Sequence, residues 1–402
     1  MPLDLDLKTP ANVCDPFPVY AFLREHEPVH RSQSLGAWVV TRYDDVLEVF
    51  AQPERFSSDR FRKAGAASER PAVQAVSAVL RHWLVFRDAP DHTRLRALLQ
   101  KSFTPRQLEK STPRIRALAD ELLAPIAARS ASDFIRDFAF PLPALVIAEL
   151  LGAPGADFES IKQWSDRLAA YLGGASDGRD IFAEAEGGLA KLVEYFRALL
   201  VEKRRQPSDD LMSLMLRAEV EGGRLSDDEV VANCVLLLFA GHETTTNLLG
   251  NGLYHLLAQP ARLAALRAHP AWLPSAIEEL LRYDGPSPAT LKIASQDFTW
   301  HGRRVRRGDF VLPMIASANR DPRQFPEPDR LDLERTPNRH LAFAYGIHFC
   351  LGAPLARLEA RLAFEAILRR LPNLELAESE PAFRPQIFLR GLVSLPLRCG
   401  SG

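Results

Sequence analysis

Between Pro90 and Leu281 apolar residues return every three or four positions, the period of helices that bury one face. The clearest stretches are Pro143 to Leu151, Phe158 to Leu172, Ile181 to Arg205 and Leu211 to Ala218. One further helix is well delimited, because Ser226-Asp227-Asp228-Glu229 forms a capping box and Gln259-Pro260 supplies a stop about thirty residues later. At 1.5 Å per residue it spans roughly 45 Å. Its first half, Val230 to Ala240, is apolar almost all round, which predicts burial on every side and a path through the centre of the molecule. Ahead of this region, Ala37-Trp38-Val39-Val40-Thr41 reads as a strand and Asp44 to Phe50 as a helix. Strand patterns return at Phe298 to Val305 and at Phe310 to Ile315, joined through Arg307-Gly308-Asp309, and again between Pro385 and Leu397. The fold is therefore mainly α with minor β. No repeat, low-complexity tail or Gly/Ser linker divides the chain, so residues 1–402 are read as one domain.

Composition narrows the function. Lys plus Arg number 50 against 51 Asp plus Glu, so there is no overall pull toward nucleic acid or an anionic membrane. The start, MPLDLDLK, lacks the basic and continuous apolar parts of a leader, and the Val230 to Ala240 run is interrupted by Asn233 and too short for a bilayer. A cytoplasmic protein is expected. Of the four cysteines, Cys14, Cys234, Cys350 and Cys399, none sits in a zinc-type pattern; they are free thiols unless one is a ligand.

Four local patterns carry chemistry. Phe343-Ala344-Tyr345-Gly346-Ile347-His348-Phe349-Cys350-Leu351-Gly352 leads into a helix whose apolar face is Leu351, Leu355, Leu358 and Leu362. That places Cys350 at a helix start, where the terminal dipole and free N–H groups favour a thiolate, while Gly346 and Gly352 let backbone approach a flat ligand. Glu279 and Arg282 stand three apart on one helix face, ahead of Asn319-Arg320-Asp321-Pro322 and Phe325-Pro326-Glu327-Pro328-Asp329-Arg330. Ala240-Gly241-His242-Glu243-Thr244-Thr245 falls in the middle of the long helix, where a threonine hydroxyl can back-bond to a carbonyl one turn earlier and an acid can relay protons. Asp88-Ala89-Pro90-Asp91-His92 opens a helix with His92 and Arg96 four apart, so both can face one anion.

Together these patterns, in this order, resemble the cytochrome P450 superfamily. The cysteine loop resembles its signature Phe-Gly-x-Gly-x-His-x-Cys-x-Gly at every fixed position except Ala344, where the pattern has glycine; alanine there implies either an ordinary φ or strain. The resemblance implies a triangular helical prism with a long central helix, haem b held by Cys350 as axial thiolate, and dioxygen as co-substrate. It implies that His92, Arg96 and His348 meet the haem propionates, with Lys292 in a place where relatives often have arginine, and that Phe343, Gly346, Gly352, Ala240 and Gly241 frame the haem. Glu279, Arg282 and Arg330 are implied as a structural ionic triad, and Glu243 with Thr244 as the proton relay to dioxygen. The implied reaction puts one oxygen atom into a C–H or C=C bond of a lipophilic substrate touching Leu84, Val85, Leu172, Leu237, Ala240, Ala289, Thr290, Leu291 and Phe388, with contacts also expected across Phe61 to Val85 and at Ile387. The Gly173-Gly174 and Gly178 breaks are read as a lid hinge. The chain is expected to act as a monomer, taking electrons from a ferredoxin and its reductase docked near Lys101, Arg106, Lys110 and Arg357. A haem-thiolate peroxygenase, an oxidative coupling enzyme, or a haem sensor or carrier would share Cys350.

Overall fold

The computed structural model describes residues 5–61, 71–174, 180–220, 222–378, 380 and 382–400. Eight helices and ten strands organise the site. The helices are α1 (Asp91–Gln100), α2 (Pro105–Ala127), α3 (Pro141–Leu151), α4 (Phe158–Gly173), α5 (Ile181–Arg205), α6 (Asp227–Leu257), α7 (Leu273–Asp284) and α8 (Ala353–Arg370). The strands are β1 (Val29–Ser32), β2 (Ala37–Val40), β3 (Phe56–Ser57), β4 (Ala131–Asp133), β5 (Lys292–Ala294), β6 (Phe298–Trp300), β7 (Arg303–Val305), β8 (Phe310–Pro313), β9 (Leu374–Leu376) and β10 (Pro396–Cys399).

α6 is the axis. Ser226 accepts from the Glu229 N–H while Glu229 reaches back to the Ser226 N–H, closing the capping box. Every residue from Val230 to Phe239 is buried, because α3, α5, α7 and α8 pack around this segment. The all-round apolar pattern thus reports a central position, as a surface helix would leave one polar stripe. Shorter helices follow the same logic: Asp180 caps α5, and Thr104 caps α2 with Pro105 in the first turn.

The main sheet has the order β1-β2-β8-β5-β3, with β2 and β8 parallel and the other pairs antiparallel. Its register sets Ser57 opposite Ile293, which brings Ser58 beside Lys292 at the sheet end. β4, β10 and β9 form a second sheet. One strand expectation is corrected: Phe298 to Val305 is not a single strand running to Phe310 but a hairpin of its own, β6 to β7, turning at His301 and Gly302, both at positive φ. Arg307-Gly308-Asp309 still turns the chain, with Gly308 at φ +90, but delivers β8 to the main sheet. Between Pro385 and Leu397 only an isolated bridge and the start of β10 are extended pairs.

Candidate functional site

A cavity of about 350 Å³ lies between the middle of α6, the start of α1, the end of β5 and the cysteine loop. Leu236, Leu237, Ala240, Gly241, Thr244, Thr245 and Leu248 present one wall, and Phe343, Cys350, Leu351, Gly352 and Leu355 face it. Leu84, Val85 and Phe86 close a further side with Ala289, Thr290 and Leu291. The middle is apolar and one end is cationic.

Cys350 is fixed by the loop before α8. Its N–H donates to the Phe343 carbonyl at 3.0 Å, and the Gly352 and Ala353 N–H groups point at its sulfur. Burial pushes the thiol up, opposed by those N–H groups and by the Arg96 and Arg357 charges. Ala344 adopts φ +58, so the residue that departs from the glycine pattern sits in the left-handed region and carries strain. Gly346, at φ +70, is needed for a different reason from the one expected: it does not border the cavity, and a Cβ there would come 2.8 Å from the Phe50 carbonyl oxygen.

At the cationic end, His92 and His348 have ring centroids 4.2 Å apart, and Lys292 and Arg96 join them on the cavity wall. The Lys292 ammonium donates to Ser58 Oγ, which also contacts His348 Nε2 at 3.0 Å, and the Asp88 carboxylate accepts from the Ser58 N–H at 2.8 Å. Arg96 donates to the Phe349 carbonyl at 2.6 Å. Among the described residues neither ring nitrogen of His92 has a partner, although the residue is 2% exposed. Burial, reinforced by the neighbouring cations, pushes His92 down to about 4 and His348 to about 2; burial lowers Lys292 to about 8, with Asp88 opposing. Four basic groups, one of them the unpartnered His92, beside a half-buried thiol and an apolar slot, fit haem, whose two propionates would supply the missing anions.

A family model described as Cytochrome P450 matches residues 175–395. The cytochrome P450 monooxygenase PikC of Streptomyces venezuelae is 40% identical over 100% of this chain and 95% of its own length. Among solved structures, CYP109Q5 from Chondromyces apiculatus is 36% identical with a TM-score of 0.89, covering 99% of both chains. CYP109E1 from Bacillus megaterium, in complex with testosterone, is 35% identical with a TM-score of 0.85 over 96% of this chain and 99% of its own.

This chain belongs to the cytochrome P450 family.

As a P450 it is a monooxygenase that uses haem iron and dioxygen. Among the described residues no helix is long and apolar enough to cross a membrane. Several residue expectations change in the P450 structure. Arg330 is not the third member of the buried ionic cluster: its guanidinium pairs with Glu327 at 2.9 Å on the surface, and Arg335 Nε reaches both Glu279 oxygens at 3.1 Å instead. Arg330 contributes only its carbonyl, which accepts from Arg282 and Arg335. Thr244 Oγ1 donates to the Ala240 carbonyl at 2.8 Å and borders the cavity, but the Glu243 carboxylate lies off the cavity wall, 1% exposed and paired with Arg384 at 3.1 Å.

Leu84, Val85, Leu237, Ala240, Ala289, Thr290 and Leu291 line the cavity as anticipated, whereas Leu172 and Phe388 do not. Leu172 packs into the main core, and Phe388 covers Gly174, whose added Cβ would come 3.3 Å from its ring. Ile387 belongs to a separate small pocket near the N-terminal segment. Gly174 ends α4 at φ +74 in a left-handed cap; residues 62–70, 175–179 and with them Gly178 lie outside the described residues. The anticipated basic patch is mostly engaged: Lys110 pairs with Asp209, Arg357 with Glu278 at 2.7 Å, and Lys101 donates to the Glu219 carbonyl. Glu359, on α8, was missed. It is fully buried on the cavity wall, its Oε2 has no partner among the described residues, and burial raises its carboxyl well above the ordinary range.

Proposed function

We propose that this P450 would hold haem b through the Cys350 thiolate, with Gly241 and Thr244 forming the facing wall beside which the substrate would lie. The observation that carries the proposal is the shared wall: one cavity is bordered by the Cys350 sulfur, by Thr244 across from it, and by His92, Arg96, Lys292 and His348 at one end. The bound haem supplies activation of dioxygen and transfer of one oxygen atom to a C–H or C=C bond.

The chain supplies the rest. His92, Arg96, Lys292 and His348 bind and orient two carboxylates, Lys292 as a point charge and Arg96 as a fork. The Gly352 and Ala353 N–H groups hold the Cys350 sulfur in place. Leu84, Leu237 and Leu291 exclude water and select an apolar substrate body. The Thr244 hydroxyl can release its Ala240 partner and donate its proton toward the cavity. Glu243, after leaving Arg384 and taking a proton from solvent along the 25% exposed Arg384 side chain, passes that proton to the hydroxyl. Electrons come from a ferredoxin and its reductase, and the protein works as a cytoplasmic monomer; the end-to-end match with bacterial relatives supports this.

The deciding experiment is the absorption spectrum of the dithionite-reduced, carbon monoxide-bound protein. A thiolate-type Soret band that disappears in Cys350→His is expected; an imidazole-type band in the wild type refutes the ligand. For the relay, Thr244→Ala should keep that band while diverting reductant to peroxide, and unchanged product yield per reductant would remove Thr244 from the role. The position of Glu243 beside Arg384 also favours a second reading, a peroxide-driven enzyme with no use for a relay. In that case both wild type and Thr244→Ala turn over with peroxide alone at equal rates.

A further inference from the structure

The arginines at the heart of this protein are matched by acceptors. Arg24 donates to the Ser317 carbonyl and hydroxyl, Arg282 and Arg335 to Glu279, Arg320 to the Tyr283 carbonyl and Asp329, and Arg390 to Asp284. Arg60 departs from this pattern. Among the described residues its guanidinium has no carboxylate, carbonyl or hydroxyl partner, and its Nε is shielded from solvent with nothing to bond. Burial pushes it down to about 10.

Its location gives the vacancy meaning. Arg60 follows β3 and stands just outside the cavity lining, its guanidinium 3.8 Å over the ring of Phe86, which borders the cavity, and within electrostatic reach of Lys292. The phenol of Tyr171, on α4, is within electrostatic reach. Stacking on a phenyl ring returns about 2 kcal/mol or somewhat more to a desolvated cation. The effective penalty for burying an ion is several kcal/mol, so an anion is still wanted there. The haem propionates do not meet that need, because His92, Arg96, Lys292 and His348 already give four basic groups for two carboxylates.

We propose that Arg60, standing behind Phe86 at the edge of the substrate cavity, is its carboxylate-binding residue, so that the preferred substrates are lipophilic carboxylic acids. The apolar body lies along Leu84, Val85, Leu237 and Leu291. The acid end takes the Arg60 fork, with the Tyr171 O–H as a second donor. This assignment rests on the haem-thiolate reading above.

The test is a Soret titration of the haem-loaded protein with dodecanoic acid and with methyl dodecanoate, following the substrate-induced spin-state shift. The wild type should bind the acid about tenfold tighter than the ester, the effect of one charge-assisted pair. Arg60→Gln should erase that preference while leaving ester affinity and haem content unchanged, and Arg60→Lys should retain part of it. A thiolate-type carbon monoxide spectrum with no acid preference in the wild type overturns this assignment alone. So does a preference that survives Arg60→Gln, and so does loss of haem from that variant, which would give Arg60 to the propionates. A wild type lacking the thiolate-type spectrum overturns the underlying reading and this assignment with it.

Discussion

Glu279 makes the choice between Arg330 and Arg335 a measurable one. Its carboxylate is fully buried and accepts from Arg282 Nε and Nη2 at 2.7 and 2.8 Å, Arg335 Nε at 3.1 Å, Asn338 Nδ2 at 3.1 Å and the Asp332 N–H at 2.9 Å. Arg335 also donates to the carbonyls of Pro326, Glu327 and Arg330, so one side chain ties the irregular segment after residue 325 to α7. Breaking a buried pair outright costs about 3–5 kcal/mol. Arg282 remains in Arg335→Ala, so the loss should be one to two charge-assisted bonds, about 2–3 kcal/mol. Arg330→Ala removes a pair with Glu327 whose side chains are 50% and 71% exposed, a contact worth about 0–1 kcal/mol, and leaves its useful carbonyl untouched. The gap of about 2 kcal/mol corresponds to roughly thirtyfold in the unfolding equilibrium. Denaturant unfolding followed by circular dichroism reads it as a shift in midpoint at constant slope. Arg335→Lys should fall between, since a lysine keeps the charge but not the fork. Equal losses from Arg330→Ala and Arg335→Ala would refute the assignment of the cluster.

Three further outcomes follow from single residues. Ala344→Gly should leave stability unchanged or raise it by up to about 1 kcal/mol, because the strain of about 1–2 kcal/mol at φ +58 outweighs the added chain entropy; a loss in thermal unfolding would show that the backbone there is relaxed. Glu359→Gln should stabilise the protein more as pH rises. The raised carboxyl binds a proton in the folded state that the unfolded chain releases above its ordinary value, so the wild type loses stability between that value and the folded one, and the difference should vanish near about pH 4 and be plain near about pH 8. Arg384→Ala should cost up to about 3 kcal/mol by stranding Glu243, and adding Glu243→Gln should recover most of it; a double variant no better than the single one would mean the pair is not coupled.

How far these residues could be read in the sequence depended on whether their geometry is local. His92 and Arg96 share a helix face by spacing, and Cys350 opens α8 by spacing, so both were legible and both border the cavity. α6 was legible because a capping box and an all-apolar run fix its start and its depth without any partner. Arg330 and Arg335 lie in an irregular segment with no period, and only the packed chain decides which guanidinium turns inward. The hairpin was misjudged because His301-Gly302 and Arg307-Gly308 are both turn patterns, and the choice of partner for β8 belongs to the parallel pairing with β2 some 270 residues away.

Arg60 and Glu359 lie beyond the sequence for the same reason, seen from the other side. A lone arginine and a helical glutamate are ordinary residues, and nothing in their neighbours along the chain marks them. What sets them apart is that the fold buries Glu359 and the Nε edge of half-buried Arg60 without providing, among the described residues, the ordinary partner of either. An unpaired carboxyl lowers its cost by keeping a proton, the direction in which burial pushes Glu359. A guanidinium has no such exit near pH 7 even when burial lowers it to about 10, so Arg60 stays charged and its vacancy is a demand for an anion. That asymmetry is why the arginine, rather than the equally orphaned glutamate, points to the chemistry of the substrate.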